Sequence, residues 1–194
     1  MLESAFPGTM PHAQNPYSGL MTTNDIMLAI APQGRDAAKL HATVRQFQRQ
    51  GYFRPVKSEK TGRKTRYYAP ATALVAEVML RACEFGLSSS SAMRAIARAI
   101  DTWNAKDLSG RQAPCSCPGA WVIRDFLQGR KDWSVEVWAF ADKSGKVRYA
   151  ARLLARDRDF GLTLDIPAGY EARSVFAVDL SDVLARLAVQ GKAN

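Results

Sequence analysis

Positively charged side chains are concentrated in one segment of this 194-residue chain. Between positions 35 and 66 there are ten lysines and arginines against two acidic residues, an excess of eight positive charges where the whole chain has nine. The ten are Arg35, Lys39, Arg45, Arg49, Arg54, Lys57, Lys60, Arg63, Lys64 and Arg66. Ammonium and guanidinium groups of this kind neutralise phosphates, so the segment predicts a polyanionic partner.

The pattern around these charges predicts the elements that position them. Apolar residues recur at three- and four-residue steps from position 36 to 50, which indicates an amphipathic helix closed by Gly51. A shorter helix is expected over 26–30, after the capping residues 22–25. Residues 53–56 and 65–68 predict two short strands joined by a turn at Thr61 and Gly62.

This order of elements is typical of a winged helix-turn-helix, whose second helix enters the major groove while a hairpin holds the adjacent backbone. The side chains of Gln46, Arg45 and Lys39 have the chemistry to contact base edges, and the other cations are better suited to phosphates. The full set of candidate DNA-binding residues is Arg35, Lys39, His41, Thr43, Arg45, Gln46, Arg49, Lys57, Lys60, Arg63, Lys64, Arg66 and Tyr68.

Three motifs in this region resemble the DNA-binding domain of MerR-type regulators. They are TVRQFQRQGYFRP (43–55), RYY (66–68) and LRACEFGLS (80–88), and the resemblance covers about residues 22–100. It implies that Arg45, Arg66 and Tyr68 contact the DNA backbone and that Phe47 and Phe53 belong to the core. The family continues into a long dimerising helix, whereas the heptad pattern here stops by about Trp103. The family's activation mechanism is therefore not expected to transfer.

The rest of the chain predicts further helices and then strands. One helix is expected from Leu74, with Phe85 on its apolar side, and a serine run caps another over 92–100. Strands are expected over 133–140, 147–155, 162–167 and 174–180, followed by a helix that begins near Ser181. The predicted fold class is α+β: a winged helix-turn-helix domain, then a small domain with an antiparallel sheet and a terminal helix.

We expect a flexible tail over 1–20, a DNA-binding domain over 21–108, a linker over 109–120 and a C-terminal domain over 121–194. The C-terminal domain is expected to dimerise the protein, bind an effector or contact a protein partner. No run of apolar residues has the length of a membrane span, no secretory signal is present, and the three cysteines do not form a disulfide framework. A cytoplasmic location is therefore expected.

Two competing sites are less well supported by the sequence. Cys115 and Cys117 have the spacing of two metal ligands at most, and Cys83 is expected to be a buried small side chain, so neither a metal nor another cofactor is predicted. Asp157, Asp159 and Asp165 form a possible metal-dependent nuclease cluster, although RDRDFG is equally typical of a charged turn.

The sequence thus predicts a non-enzymatic, double-stranded DNA-binding transcription regulator of bacterial or phage type. A repressor that acts as a homodimer is the preferred interpretation, because paired half-sites add specificity. A DNA-architectural or recombination accessory protein and a metal-dependent nuclease remain the alternatives.

Overall fold

A computed structural model describes residues 19–31, 36–58, 65–156, 160–166 and 168–192. Within these ranges the helices are α1 Thr23–Ile30, α2 Ala37–Arg49, α3 Ala71–Glu84, α4 Ser90–Asp101, α5 Ala105–Leu108, α6 Pro118–Leu127 and α7 Ser181–Lys192. The strands are β1 Lys57–Ser58, β2 Arg66–Tyr67, β3 Trp133–Ala141, β4 Val147–Ala155, β5 Phe160–Gly161 and β6 Glu171–Asp179. The fold is mixed α+β, as predicted. The tail predicted over residues 1–20 lies outside the described residues except for its last two.

Helix α3 is the centre of the helical part. Its residues from Ala71 to Leu80 are all buried, and α1, α2, α4, α6 and α7 all pack against it. Glu77 is among these buried residues, with 3% of its surface exposed, and its carboxylate accepts a 3.1 Å hydrogen bond from Arg81 Nε. A charge at this depth is stable only when it is paired, so the buried carboxylate of Glu77 depends on the arginines beside it.

The strands β5, β4, β3 and β6 form a four-stranded antiparallel sheet in that order. Strands β3 and β4 form a hairpin in full register from Trp133 opposite Ala155 to Ala141 opposite Val147. The turn between them is closed by Asp142, whose Oδ1 accepts hydrogen bonds from the backbone N–H of Ser144 and Lys146. Helix α4 packs against β4 and β3, so one face of the sheet covers the helices.

A single buried apolar cluster runs through the described residues, from Met21 near the N-terminus to Leu187 in α7. Arg186 of α7 strengthens this connection, because its Nε donates a 2.5 Å hydrogen bond to the carbonyl of Ala29 in α1. Its Nη2 also lies 3.9 Å from the buried Glu77 carboxylate. The division into two domains stays a prediction, but the described residues show no break in packing at the expected boundary.

The predicted linker over 109–120 is partly helical. Helix α6 begins at Pro118, and Cys117, Pro118 and Gly119 are buried. A Cβ added at Gly119 would lie 2.6 Å from Ile100 Cγ2, so α6 and α4 approach each other as closely as a glycine allows. Glycine and proline, which indicate a linker in a sequence, here begin a tightly packed helix.

Three further predictions about local structure are wrong. The first hairpin strand lies at 57–58 rather than 53–56, because the ring of Phe53 is buried in the core and Pro55 has no N–H to pair. Residues 162–166 form no strand, since the backbone N–H of Thr163 donates to Asp107 instead. Phe85 follows the end of α3 and is 75% exposed rather than packed in the core.

Candidate nucleic-acid interface

The orientation of α2 is fixed at its start and on its buried side. Asp36 caps the helix, with its Oδ1 accepting from the backbone N–H of Ala38 at 2.9 Å and of Lys39 at 3.2 Å. The buried side consists of Leu40, Val44 and Phe47. These three residues follow the helical period, so the opposite side of α2 must face outward.

That outward side carries three cations and a glutamine. Lys39, Arg45, Gln46 and Arg49 are all exposed, and Ala38 and Ala42 are exposed on the same side with only a methyl group each. His41 and Thr43, on the flanks, are half-buried, and the hydroxyl of Thr43 donates to the carbonyl of Lys39 at 3.0 Å. We call Lys39, Arg45, Gln46 and Arg49 the α2 surface. Its cations make few contacts with the rest of the molecule. Within the described residues Arg45 and Arg49 form no ion pair, and the Nζ of Lys39 lies 4.0 Å from Oδ2 of Asp36.

Helix α1 supports α2 from the other side. The Thr22 hydroxyl accepts from the backbone N–H of Asp25 and the Asp25 carboxylate accepts from the backbone N–H of Thr22, which makes a capping box at the start of α1. Gln48 Nε2 then donates a 2.7 Å hydrogen bond to the hydroxyl of Thr23. This contact, which joins residues 25 positions apart, has no local signal in the sequence.

Four aromatic rings connect α2 to the short strands. Phe47 packs 6.3 Å from Tyr52 and 6.1 Å from Phe53, and Phe53 packs edge-on against Tyr68 at 6.2 Å. All four are buried. The expectation that Phe47 and Phe53 belong to the core is confirmed by their burial. The aromatic cluster sets the distance between the α2 surface and the strands.

Strands β1 and β2 pair antiparallel, with Lys57 opposite Tyr67 and Ser58 opposite Arg66. Arg66 and Lys57 are exposed, and the register places them on opposite faces of this pair. Met21 extends the arrangement, because its backbone exchanges two hydrogen bonds of 2.8 Å with Tyr68. The segment before α1 is thereby attached to the strands, which the sequence did not predict.

Five of the candidate residues need separate mention. Arg35, Lys60, Arg63 and Lys64 lie outside the described residues. Tyr68 is placed differently from the prediction, since only 1% of its surface is exposed and its ring packs on Phe53. In this arrangement its side chain supports the core and does not reach the surface where a DNA backbone would lie.

A half-buried carboxyl group, that of Asp101, lies close to the exposed Arg54. Burial raises the pKa of Asp101, the last residue of α4, to about 6, and the positive charge of Arg54 partly offsets this effect. The same carboxylate is near Cys117 and helps to raise the pKa of that thiol, for which burial is the larger cause. No motif in the sequence indicates this cluster.

The cysteines have the environment of structural thiols. The Sγ of Cys117 accepts from the backbone N–H of Ala120 and so caps α6. Burial is also the largest cause of the raised pKa of Cys83 and of Cys115, so all three thiols favour the protonated form, which is the poorer metal ligand. No group of three or more metal-binding side chains occurs among the described residues.

Two of the three aspartates of the alternative nuclease cluster, Asp157 and Asp159, lie outside the described residues. The third, Asp165, accepts hydrogen bonds from Asn104 Nδ2 at 3.0 Å and Lys106 Nζ at 3.3 Å. No helix in the described part of the chain has the length and hydropathy needed to cross a membrane.

Comparisons with known proteins assign no family to this arrangement. The chain matches no protein-family model, and neither the curated proteins nor the solved structures gave a significant match. The geometry of α2 and of its supporting elements is therefore the basis for any statement about function.

Proposed function

We infer that the protein is a double-stranded DNA-binding transcription regulator in which α2 and the β1–β2 pair form a winged helix-turn-helix. The observation that carries this proposal is the α2 surface: two exposed arginines, a lysine and a glutamine on one side of a helix that is fixed by its cap and its buried side. The 13 residues of α2 make a helix about 20 Å long. A helix of ordinary diameter fits the major groove of B-DNA.

The residues of the α2 surface divide into two roles. Arg45 and Arg49 supply charge to phosphates, which provides affinity without sequence information. Gln46 has the paired donor and acceptor that match an adenine edge. The methyl groups of Ala38 and Ala42 leave room for the helix axis to approach the groove closely. Arg66 and Lys57 are suited to the backbone beside the groove.

The proposed regulation follows when the bound protein covers a promoter. A repressor needs only to cover a promoter, so the α2 surface and the β1–β2 pair suffice for it. We propose that two copies bind two half-sites, because one module of this size contacts too few base pairs for a specific site.

The test is fluorescence anisotropy of a labelled duplex with the parent and with Arg45→Gln/Arg49→Gln. Glutamine keeps the helix propensity of the surface and removes two charges. We expect weaker binding to every duplex and a slope of log K against log salt that is smaller by about two units. The matched control is Arg173→Gln, an exposed arginine of β6 on another part of the molecule, which should bind like the parent.

Gln46→Ala separates sequence preference from charge. It should change the order of preference among duplexes more than the overall affinity. Equal binding by the parent and the double arginine variant would show that α2 is not the interface. An equal loss in Arg173→Gln would show that only net charge matters.

A further inference from the structure

Strand β6 is a long edge strand. It ends the sheet, and no strand in the described part of the chain pairs with its other side. Seven of its nine residues are exposed, whereas β3, which has a neighbouring strand on both sides, has no exposed residue. The backbone N–H and C=O groups along an open edge can pair with another strand, so proteins usually shorten or block such an edge.

The central part of the β6 edge lacks the residues that block pairing. Residues 174–178 are SVFAV, with no charge, proline or glycine, and valine and phenylalanine favour a strand. The opposite side of the sheet differs, because β5 has only two residues and β4 carries Arg148 and Arg152. A shift in the register with β3 leaves Arg173 without a counterpart there, which confines the regular part of the β6 edge to residues 174–179.

Apolar side chains border this edge on both faces of the sheet. Phe176 lies opposite Val137, which belongs to the buried core, and Val175 lies opposite Trp138 on the outer face. The ring of Phe176 also contacts that of Phe85 at the end of α3, with 5.3 Å between the ring centroids. Phe85 is 75% exposed and Val175 is 50% exposed. Grouped apolar surface of this kind is typical of an interface.

A second copy of this chain fits the edge. Two copies of β6 can pair antiparallel about a two-fold axis perpendicular to the sheet, and residues directly opposite each other then come from the same face. With Phe176 at the axis, each Val175 lies opposite Ala177 of the other copy. The two Phe176 rings face each other on the helical side, each with its own Phe85 beside it. The apolar side chains of both faces are thereby covered.

The charges at the ends of the edge favour this register over its neighbours. Arg173 of each copy comes next to Asp179 of the other, so two pairs of opposite charge flank the apolar centre. An axis at Val175 would set Glu171 against Asp179 at both ends, where like charges repel. An axis at Ala177 would leave Arg173 beyond the paired residues. The strand is therefore complementary to itself.

We propose that β6 is a dimer interface through which two copies of this chain join their four-stranded sheets into one antiparallel sheet. Because the axis is perpendicular to the sheet, both helical parts lie on the same side of it. The two α2 surfaces are then related by the same two-fold axis, which matches the symmetry of a palindromic DNA site. This role in DNA binding rests on the proposed function, whereas the pairing of the strands does not.

Sedimentation velocity of the full chain without DNA, over a range of concentrations, measures the dimer. We expect the parent to dimerise, and Phe85→Glu and Val175→Glu each to raise the dissociation constant by at least tenfold, because each buries a carboxylate in the interface. The controls carry the same charge at similar exposure: Val189→Glu in α7, at 71%, and Val147→Glu in β4, at 49%, should dimerise like the parent. A monomeric parent, or β6 variants that dimerise like the parent, would overturn the proposal.

An exchange of charges tests the register. Arg173→Glu brings two acidic residues together at each end and Asp179→Lys two basic ones, so each variant alone should dimerise about tenfold more weakly. A mixture of the two restores opposite charges and should form heterodimers with nearly the parental affinity. Asp179 also accepts a hydrogen bond from the Ser181 backbone N–H, so circular dichroism must show that Asp179→Lys is folded. A mixture of folded variants that does not recover would overturn the register.

The neutral variant Arg173→Gln should leave the dimer largely intact, because it removes an exposed ion pair, and such pairs contribute little. It therefore remains a control for DNA binding.

Duplex binding keeps the two proposals apart. A parent that dimerises but binds no DNA would overturn the proposed function and leave the β6 interface standing. A parent that binds a duplex from upstream of its own gene specifically and as a monomer would overturn the interface and leave the DNA-binding helix standing. If both proposals hold, Phe85→Glu should bind that duplex more weakly than Val189→Glu does, because its two copies no longer bind as a unit.

Discussion

Replacing Asp101 with asparagine should change the pH dependence of stability in a predictable direction. Burial raises the pKa of this carboxyl group from 3.8 to about 6 in the folded protein, with Arg54 acting in the opposite direction. The folded state therefore binds more protons than the unfolded state between about pH 4 and pH 6. In that window the contribution of Asp101 to the free energy of unfolding falls as pH rises, and above the folded pKa the loss is complete.

The size of the effect follows from the shift of about two units. Each unit corresponds to 1.36 kcal/mol, so ionised Asp101 costs about 3 kcal/mol at neutral pH. Asparagine has nearly the same shape and does not ionise. We expect Asp101→Asn to gain up to about 3 kcal/mol relative to the parent at neutral pH, and little of this gain near pH 4.

Urea unfolding followed by tryptophan fluorescence, repeated between about pH 4 and pH 8, measures this difference directly. The control is Glu171→Gln, which makes the same chemical change at an exposed carboxylate of β6. The result that decides is how the difference in the free energy of unfolding between Asp101→Asn and the parent depends on pH. A difference that stays constant from pH 4 to pH 8 would refute the reasoning, whatever its sign, because burial would then not act through ionisation.

Two further predictions concern the core. Gly119→Ala should destabilise the protein by about 1–3 kcal/mol in thermal unfolding, because the new Cβ would lie 2.6 Å from a side-chain carbon of α4. Gly19→Ala, with nothing within 4 Å, should be nearly neutral, and equal effects of the two would contradict the packing of α6. Trp133→Phe should cost about 1–3 kcal/mol in urea unfolding, because it removes the 2.7 Å hydrogen bond from the indole to the buried Asp125. Trp138→Phe, whose indole bonds a half-buried glutamate, should cost less, and the reverse order would argue against the buried bond.

Periodicity predicted the helices and the main hairpin well. The apolar spacing in α2 gave its buried side, Leu40, Val44 and Phe47, because a 13-residue amphipathic helix has a strong signal. Alternation and turn residues likewise gave β3, β4 and the turn at Asp142. Each of these signals is local, and each is reinforced by burial of one face.

The wrong predictions come from contacts between distant residues. The resemblance implies that Phe47 and Phe53 belong to the core, but the residues around 53–56 do not show that the ring of Phe53 packs against Phe47 and Tyr68. That packing moves the strand further along the chain. Pro118 and Gly119 are typical of a linker in the sequence. Their place in a packed helix is seen only in the structure, where Gly119 lies against Ile100. Burial by tertiary packing decides such positions, and propensity does not report it.

The candidate sites differ in the same way. The cations of the α2 surface lie within eleven residues of one another in the sequence, from Lys39 to Arg49, so the local charge excess indicates them. The cluster at Asp101 differs, because Arg54 and Cys117 come near that carboxylate only through tertiary packing. No motif or local charge excess could have indicated this cluster.

The central claim is that this chain binds double-stranded DNA and distinguishes among sequences. The most direct measurement is anisotropy with a duplex taken from upstream of its own gene, in competition with a shuffled duplex of equal length, at two salt concentrations. We expect salt-dependent binding to both and a preference for the upstream duplex on the order of 10³-fold or more. Binding to neither duplex would contradict the account, and equal binding to both would contradict sequence-specific regulation.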